Sequence, residues 1–483
     1  MLAVAHVFSR LLMLFGATYV LPLLAAIVLD DGMAGDFLVA GVVSAGAGAV
    51  LMLATRRKAR ELKPRDGFLL VTITLTLMSV SATIPFLLGL PHLSFTHAFF
   101  EAVSGLTTSG ATVLAHLDLL PPSINFWRAT LNWYGGFGVI VLAVAILPLL
   151  GVGGMQIHRA EVPGPVKDEK LASRINETAR SLWLVYIAFT AAGILALRIC
   201  GVSWLDAICH AFAAVSLGGF STHDANIAWF QSPTVETVLI VLMILGSLNF
   251  ARHFVAIRRT TLQPYTTDTE SNALALVLGG SVLGIAIALT VDKIYPSFGI
   301  AFRHAAFNVI SLATTTGFFT QNYEQWPVFA PIWMLFLACG VCSAGSLGGG
   351  IKMFRTLLLA KQASRELKLL VHPSAVAPVL VSGRAIPDQV GNSVLAFIFL
   401  YFMTVAALIF ALLATGLDFD SAFGAIVACI NNTGPGLGVV GPAAHNYLAL
   451  SEIQTWICAL AMILGRLEIF SVLVLFTPAF WRK

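Results

Sequence analysis

Leu106-Thr107-Thr108-Ser109-Gly110-Ala111 is a short polar cluster with a glycine, set directly after an apolar run. Related clusters recur as Val215-Ser216-Leu217-Gly218-Gly219-Phe220, Ala313-Thr314-Thr315-Thr316-Gly317-Phe318 and Ile430-Asn431-Asn432-Thr433-Gly434-Pro435. Their glycines Gly110, Gly219, Gly317 and Gly434 are spaced by 109, 98 and 117 residues. The preceding apolar runs lie near 95–106, 205–215, 301–313 and 421–430. A helix needs about 20 residues to cross a bilayer, so these runs read as re-entrant helices. One such cluster has the composition of an ordinary turn. Four at matching points indicate a unit of span, short helix, loop and span, used four times.

The solvent implied for this unit is lipid. Of 483 residues, 58% are hydrophobic and only 11% charged, against about 25% charged in soluble domains. Mean hydropathy is +0.87. A soluble fold could not cover that apolar surface. Six cysteines are too few for a disulfide scaffold. Apolar content excludes disorder, and a net charge of +4 without a long basic run argues against nucleic acid. Spans are expected near 10–29, 36–54, 68–90, 126–150, 181–200, 234–257, 272–291, 328–360, 390–416 and 452–478. The first is too long, and lacks the cleavage site, for a signal peptide. The fold class is an all-α polytopic membrane protein with four repeats in pseudo-fourfold order around a pore. The expected divisions are a two-span hairpin at 1–66 and repeats at 67–160, 161–265, 266–387 and 388–483.

Ten spans put both ends on one side, together with Arg10, the Arg56–Arg60 cluster, the loops near 151–180 and 361–389, and Arg482-Lys483. Basic residues then divide 24 to 4 and acids 11 to 13. The basic side is predicted to be cytoplasmic, and the acidic outer face would concentrate cations. The short helices then run inward and aim their negative C-terminal ends at the pore centre. Four loops around one axis would offer rings of carbonyl oxygens to replace the hydration shell of a monovalent cation.

On these residues the chain resembles the Trk/Ktr/HKT potassium-transporter superfamily, and within it the bacterial Trk membrane subunits. Gly218-Gly219-Phe220-Ser221-Thr222-His223-Asp224 and Asn431-Asn432-Thr433-Gly434-Pro435-Gly436 carry the likeness most closely. The resemblance implies a K+ selectivity filter made mainly of backbone carbonyls. Its members here would be Thr107, Thr108, Ser109, Gly110, Ser216, Leu217, Gly218, Gly219, Thr314, Thr315, Thr316, Gly317, Asn431, Asn432, Thr433 and Gly434. In that family, glycine at all four marked positions goes with potassium preference, and serine in the first goes with sodium permeation in some plant members. It further implies K+ as the transported ion, no organic cofactor, a homodimer, a cytosolic nucleotide-binding subunit of TrkA type, and the bacterial inner membrane. Rival readings are a sodium-permeable pore of the same fold and, outside the class, a membrane enzyme.

The eighth expected span is interrupted by Ser343-Ala344-Gly345-Ser346-Leu347-Gly348-Gly349-Gly350. On the residues alone this is either a kink at a close helix crossing or a break. The resemblance implies a gate loop below the filter, with Gly345, Ser346, Gly348, Gly349 and Gly350, although Leu347 stands where the family leads one to expect Thr. Arg466 and Glu468 sit in the last apolar span and, two apart, face different ways. Arg466 either snorkels to the inner edge or, as the resemblance implies, extends into the pore as a barrier. Cys339-Gly340-Val341-Cys342 lacks a second pair and reads as buried thiols. His223-Asp224 falls at the outer mouth, with no nucleophile motif. No phosphate loop, metalloprotease or dinucleotide motif is present, so enzyme chemistry is not expected.

Overall fold

The computed structural model describes residues 1–58, 62–141, 168–381, 384–444 and 446–482. The inner end of the fourth expected span (142–150), the loop up to 167 with the boundary at 160, and residues 59–60 of the basic cluster lie outside the described residues.

Among the described residues, six helices are individually long and apolar enough to cross a membrane: Leu2–Leu29, Ala34–Thr55, Arg65–Gly89, Ala179–Ile199, Thr269–Val291 and Asp388–Ala414. Two further spans pass only as bent pairs. Pro233–Ser247 turns into Phe250–Arg259 at 103°, and Glu452–Arg466 into Ile469–Phe476 at 108°. This corrects the expectation of continuous spans at 234–257 and 452–478. The run at 328–360 is likewise two helices, Phe329–Ala338 and Met353–Val371, with the glycine-rich stretch between them. Apolar composition reports burial, not straightness. What permits each break is a partner for the backbone groups it releases. At the first bend Asn249 caps the new helix by accepting from Ala251 N at 2.9 Å. The freed carbonyls of Gly246 and Ser247 accept from Leu347 N and Ser343 N in the glycine-rich loop, at 3.2 and 3.0 Å.

The four short helices are Phe95–Leu106, Trp204–Ser216, Phe298–Ala313 and Phe419–Ile430. Three are capped by side chains: Ser94, Ser203 and Asp418 accept from His97 N, Asp206 N and Ser421 N. Beyond the first turn, and beyond the second in Phe298–Ala313, they are buried almost all round, as a helix at the centre of a bundle must be. Each packs against the helix before it and the helix after it, and also against the second helix of the preceding repeat. The last of these contacts joins Phe95–Leu106 to Glu452–Arg466, so the four repeats close into a ring.

The N-terminal hairpin docks on the first repeat. The Tyr19 ring stacks on Trp127 with centroids 4.6 Å apart, and its hydroxyl donates to the Ser81 carbonyl at 2.8 Å. Its two helices touch backbone to backbone: a Cβ on Gly16 would lie 2.7 Å from Ala45 N. A two-residue antiparallel ladder, Leu380–Val381 with Arg384–Ala385, was not anticipated and only folds back the connection between the third and fourth repeats.

Within the first repeat Arg128 is buried against Glu101, Nε to Oε1 at 2.7 Å, with side chains 1% and 0% exposed. Removing one member of a buried pair leaves an uncompensated charge, at about 3–5 kcal/mol. Arg128→Met is therefore expected to lower the melting temperature sharply, and Glu101→Gln added to it to recover much of the loss. Thermal unfolding in detergent, read by size exclusion, checks both.

Candidate functional site

The site is built from the ends of the four short helices, and these ends are alike. The second residue of each cluster is left-handed: Thr108 at φ 52°, Leu217 at 58°, Thr315 at 59° and Asn432 at 54°. Their amides bond back to the carbonyls of Gly105, Ala214, Leu312 and Cys429. The next amides, of Ser109, Gly218, Thr316 and Thr433, reach back to Ser104, Ala213, Ser311 and Ala428 at 2.7–2.9 Å. This is a Schellman termination, a place usually given to glycine. Side chains larger than glycine in that conformation cost about 1–2 kcal/mol each, which the packing around them must offset.

The first residue of each cluster turns its side chain back onto its own helix. Thr107, Ser216 and Thr314 donate hydroxyls to Val103, Phe212 and Ile310 carbonyls at 2.7 Å, and Asn431 Nδ2 donates to Val427 O at 2.8 Å. The polar side chains thus satisfy helix ends.

Two residues beyond each left-handed residue stands a left-handed glycine: Gly110 (φ 76°), Gly219 (68°), Gly317 (84°) and Gly434 (94°). A Cβ on Gly110 would collide with the Gly218 carbonyl oxygen, on Gly219 with Thr316 O, on Gly317 with Thr433 O, and on Gly434 with Ser109 O. Each glycine thus abuts the carbonyl that precedes the glycine of the next repeat, and the fourth returns to the first. All four line one cavity, with Thr112, Ser221, His223 and Asp224 on its wall.

Sequence reasoning missed the residues that hold the strands leaving this ring. Six positions before each cluster begins stand Glu101, His210, Asn308 and Ala425. Glu101 accepts from Thr112 Oγ1 at 2.9 Å and Val113 N at 3.0 Å. His210 Nε2 meets Ser221 Oγ at 3.0 Å, and Asn308 bonds both Oγ1 and N of Thr320. In the fourth repeat Tyr447 donates to Gly434 O at 2.6 Å instead. A polar residue in one register of three apolar helices was the available signal.

The glycine-rich stretch lies against the other side of the clusters. Gly349 N donates to Thr315 Oγ1 at 2.9 Å, and a Cβ on Gly349 would strike the Asn431 carbonyl. Arg466 ends its helix 8% exposed, and donates to Leu347 O at 2.9 Å and Gly135 O at 3.4 Å. Leu347 thus meets Arg466 through its backbone, while its side chain is buried in the core. Glu468, in the bend, pairs with Arg355 at 2.6 Å and not with Arg466. Gly345, Ser346, Gly348, Gly349, Gly350 and Arg466 line a second cavity with Lys352 and Glu468. Cys339 and Cys342 are free thiols at the start of this stretch. Among the described residues no group of three or more His, Cys, Asp or Glu could hold a metal ion. The ring's donors are neutral carbonyls, which suit a monovalent cation.

Comparison with known proteins agrees with this architecture. The family TrkH, described as "Cation transport protein", matches residues 35–483. The Trk system potassium uptake protein TrkH of Escherichia coli (strain K12) is 44% identical over 483 residues, covering 100% of this chain and 99% of the relative. TrkH of Halomonas elongata is 42% identical and covers 99% of each. The crystal structure of the potassium transporter TrkH from Vibrio parahaemolyticus superposes with a TM-score of 0.92 at 39% identity, covering 100% of this chain and 99% of that one.

Thr315 ties the glycine-rich stretch to the third cluster. Thr315→Val removes the acceptor of a buried amide, which costs about 1–3 kcal/mol. We expect a lower melting temperature and faster limited proteolysis between residues 340 and 352, with peptide mapping as the check.

Proposed function

This chain belongs to the TrkH family of cation transport proteins, and on that premise we propose how it carries potassium. It is a multi-pass membrane protein and a potassium uptake transporter, not an enzyme. The clusters at 107–110, 216–219, 314–317 and 431–434 form its selectivity filter. The observation that carries this reading is the closed ring in which each filter glycine faces its neighbour's carbonyl. Carbonyls released from the helix ends take the place of K+ hydration water, and the helix dipoles favour a positive ion there.

The stretch 343–350 and Arg466 act together as the gate. Arg466 is bonded to the loop's own carbonyl at Leu347, so the charge and the obstruction move as one unit. The pair Arg355–Glu468 joins the bend that follows Arg466 to the helix Met353–Val371. A cytosolic nucleotide-binding subunit of TrkA type, pulling on that helix, would reach the gate through this pair. The chain works as a homodimer in the bacterial inner membrane with both termini cytoplasmic. The lysine and arginine asymmetry of the loops supports that orientation. The division into a hairpin at 1–66 and repeats at 67–160, 161–265, 266–387 and 388–483 is supported by the ring of helix contacts.

Two substitutions test the filter and the gate. Gly110→Ser places a side chain where the Gly218 carbonyl sits. We expect a several-fold fall in the K+ to Na+ flux ratio in folded protein, measured in proteoliposomes. Unchanged ratios would remove Gly110 from the filter. For Arg466, two unit charges ~6 Å apart at an effective dielectric near 20 repel by about 3 kcal/mol, roughly a hundredfold in rate. Water in the cavity screens this, so Arg466→Ala is expected to raise unregulated K+ flux about ten- to a hundredfold, with Arg466→Lys between. Wild-type flux at equal reconstituted amounts would sink the barrier role.

A further inference from the structure

The strand leaving the second cluster carries Ser221-Thr222-His223-Asp224 along the wall of the cavity that the four filter glycines share. His223 is held there from three sides. Its Nδ1 bonds the Asp118 carboxylate, and its Nε2 lies 3.5 Å from Asp206 Oδ1. One ring face stacks on Trp229 with centroids 4.3 Å apart. Asp118 comes from the segment that follows the first cluster, and Asp206 from the first turn of the second short helix. The imidazole therefore bridges two repeats beside the mouth of the ring.

Most other charged and titratable groups facing this imidazole have partners of their own. Asp224 gives its backbone amide to Asp118 Oδ2 at 3.2 Å, and the residue lines the same cavity. His210, parallel to His223 with centroids 6.4 Å apart, is bonded to Asp206 O and Ser221 Oγ. Arg128 reaches Ser221 O at 2.9 Å, but its charge is matched by Glu101. Asp206 takes further bonds from Thr222 and Ser203. The trio Asp118, His223 and Asp206 is thus a cross-repeat group at this wall whose charge one proton on His223 changes.

We propose that His223 sets the charge of the outer mouth, and that its protonation state tunes how readily K+ enters the filter. The inference rests on the potassium-uptake reading above and adds to it a residue outside the filter and the gate. Side-chain exposures of 14% for His223, 33% for Asp118 and 16% for Asp206 leave the trio within reach of bulk protons. Burial works to lower the affinity of His223 for its proton, but the carboxylates of Asp206 and Asp118 outweigh it and hold the pKa above the ordinary 6.5. Burial also works to raise Asp206, but the adjoining His223 ring and the bonds from Thr222 and Ser203 keep its carboxyl well below the usual range. The trio therefore carries one negative charge with the proton and two without it. As pH rises through the raised His223 value, the mouth becomes more negative and attracts K+ more strongly. A unit charge ~10 Å away, at an effective dielectric of ~40–80, changes local cation occupancy about two- to fourfold.

The test is the KM for K+ uptake into proteoliposomes of the full chain, with pH equal on both sides from 5.5 to 9 at constant ionic strength. In the wild type, KM should fall two- to fourfold as pH passes a midpoint above 6.5, with the change in KM and not in the maximal rate. His223→Lys should keep the high acid-side KM at every pH, and His223→Gln the low alkaline-side KM. Higher salt should shrink the difference. A purely structural role would give both variants the same defect. If the lysine variant does not fold, Asp118→Asn serves instead, because it should move the wild-type midpoint down towards 6.5. Saturable uptake with a pH-independent KM, equal KM values in the two His223 variants, or an unmoved midpoint in Asp118→Asn overturns the proposal. Absence of saturable K+ uptake at every pH overturns the uptake reading itself, and this proposal with it.

Discussion

Backbone that leaves a helix at membrane depth finds no water, so each released amide and carbonyl needs a partner from the protein. The whole centre of this chain is arranged around that constraint. Four short helices stop inside the bundle, and each stop uses the same two backbone bonds back onto the helix. A side chain from the first cluster residue takes one more helix carbonyl in every repeat. In the proposed filter, carbonyls of these clusters would take an ion as their partner, so that one device would serve both folding and conduction.

The bends follow the same rule. Pro233–Ser247 ends before Asn249, and the carbonyls it frees are taken by amides of the glycine-rich loop. That loop in turn gives Gly345 O to Phe250 N and Ala344 O to Asn249 Nδ2. Break and loop satisfy each other, so neither could be straightened alone without leaving buried polar groups unpaired. Arg466 joins this exchange through Leu347 O, which is why a cation can sit at that depth with carbonyls as its partners. Glu468 is one bend away, yet it is committed to Arg355, whose guanidinium also lies 4.0 Å over the Phe397 ring. The charges inside the bundle are sorted: Glu101 with Arg128, Glu468 with Arg355, and Arg466 with the loop.

Much of this was legible in the chain. The apolar excess demanded lipid, runs of ten to thirteen residues were too short to cross, and clusters recurring behind them gave the fourfold plan. The glycine run at 345–350 marked either a kink or a break, and the structure makes it a break between Phe329–Ala338 and Met353–Val371. What composition could not reveal was bending at Leu248 and Leu467, because an apolar run looks the same straight or folded. Nor could it reveal Glu101, His210 and Asn308, whose partners lie eleven or twelve residues downstream across the filter loop.

Local rules therefore determined the number of repeats, the position of each stop and the glycine each stop needs, because these depend on span length and on backbone sterics at single residues. Closure of the ring, the meeting of Gly110 with the Gly218 carbonyl and of Gly434 with that of Ser109, was decided only in the tertiary structure. The same holds for the choice of Arg355 over Arg466 as the partner of Glu468. Those contacts join residues more than a hundred positions apart. No periodicity encodes them; they follow from where the packed helices place each chain end.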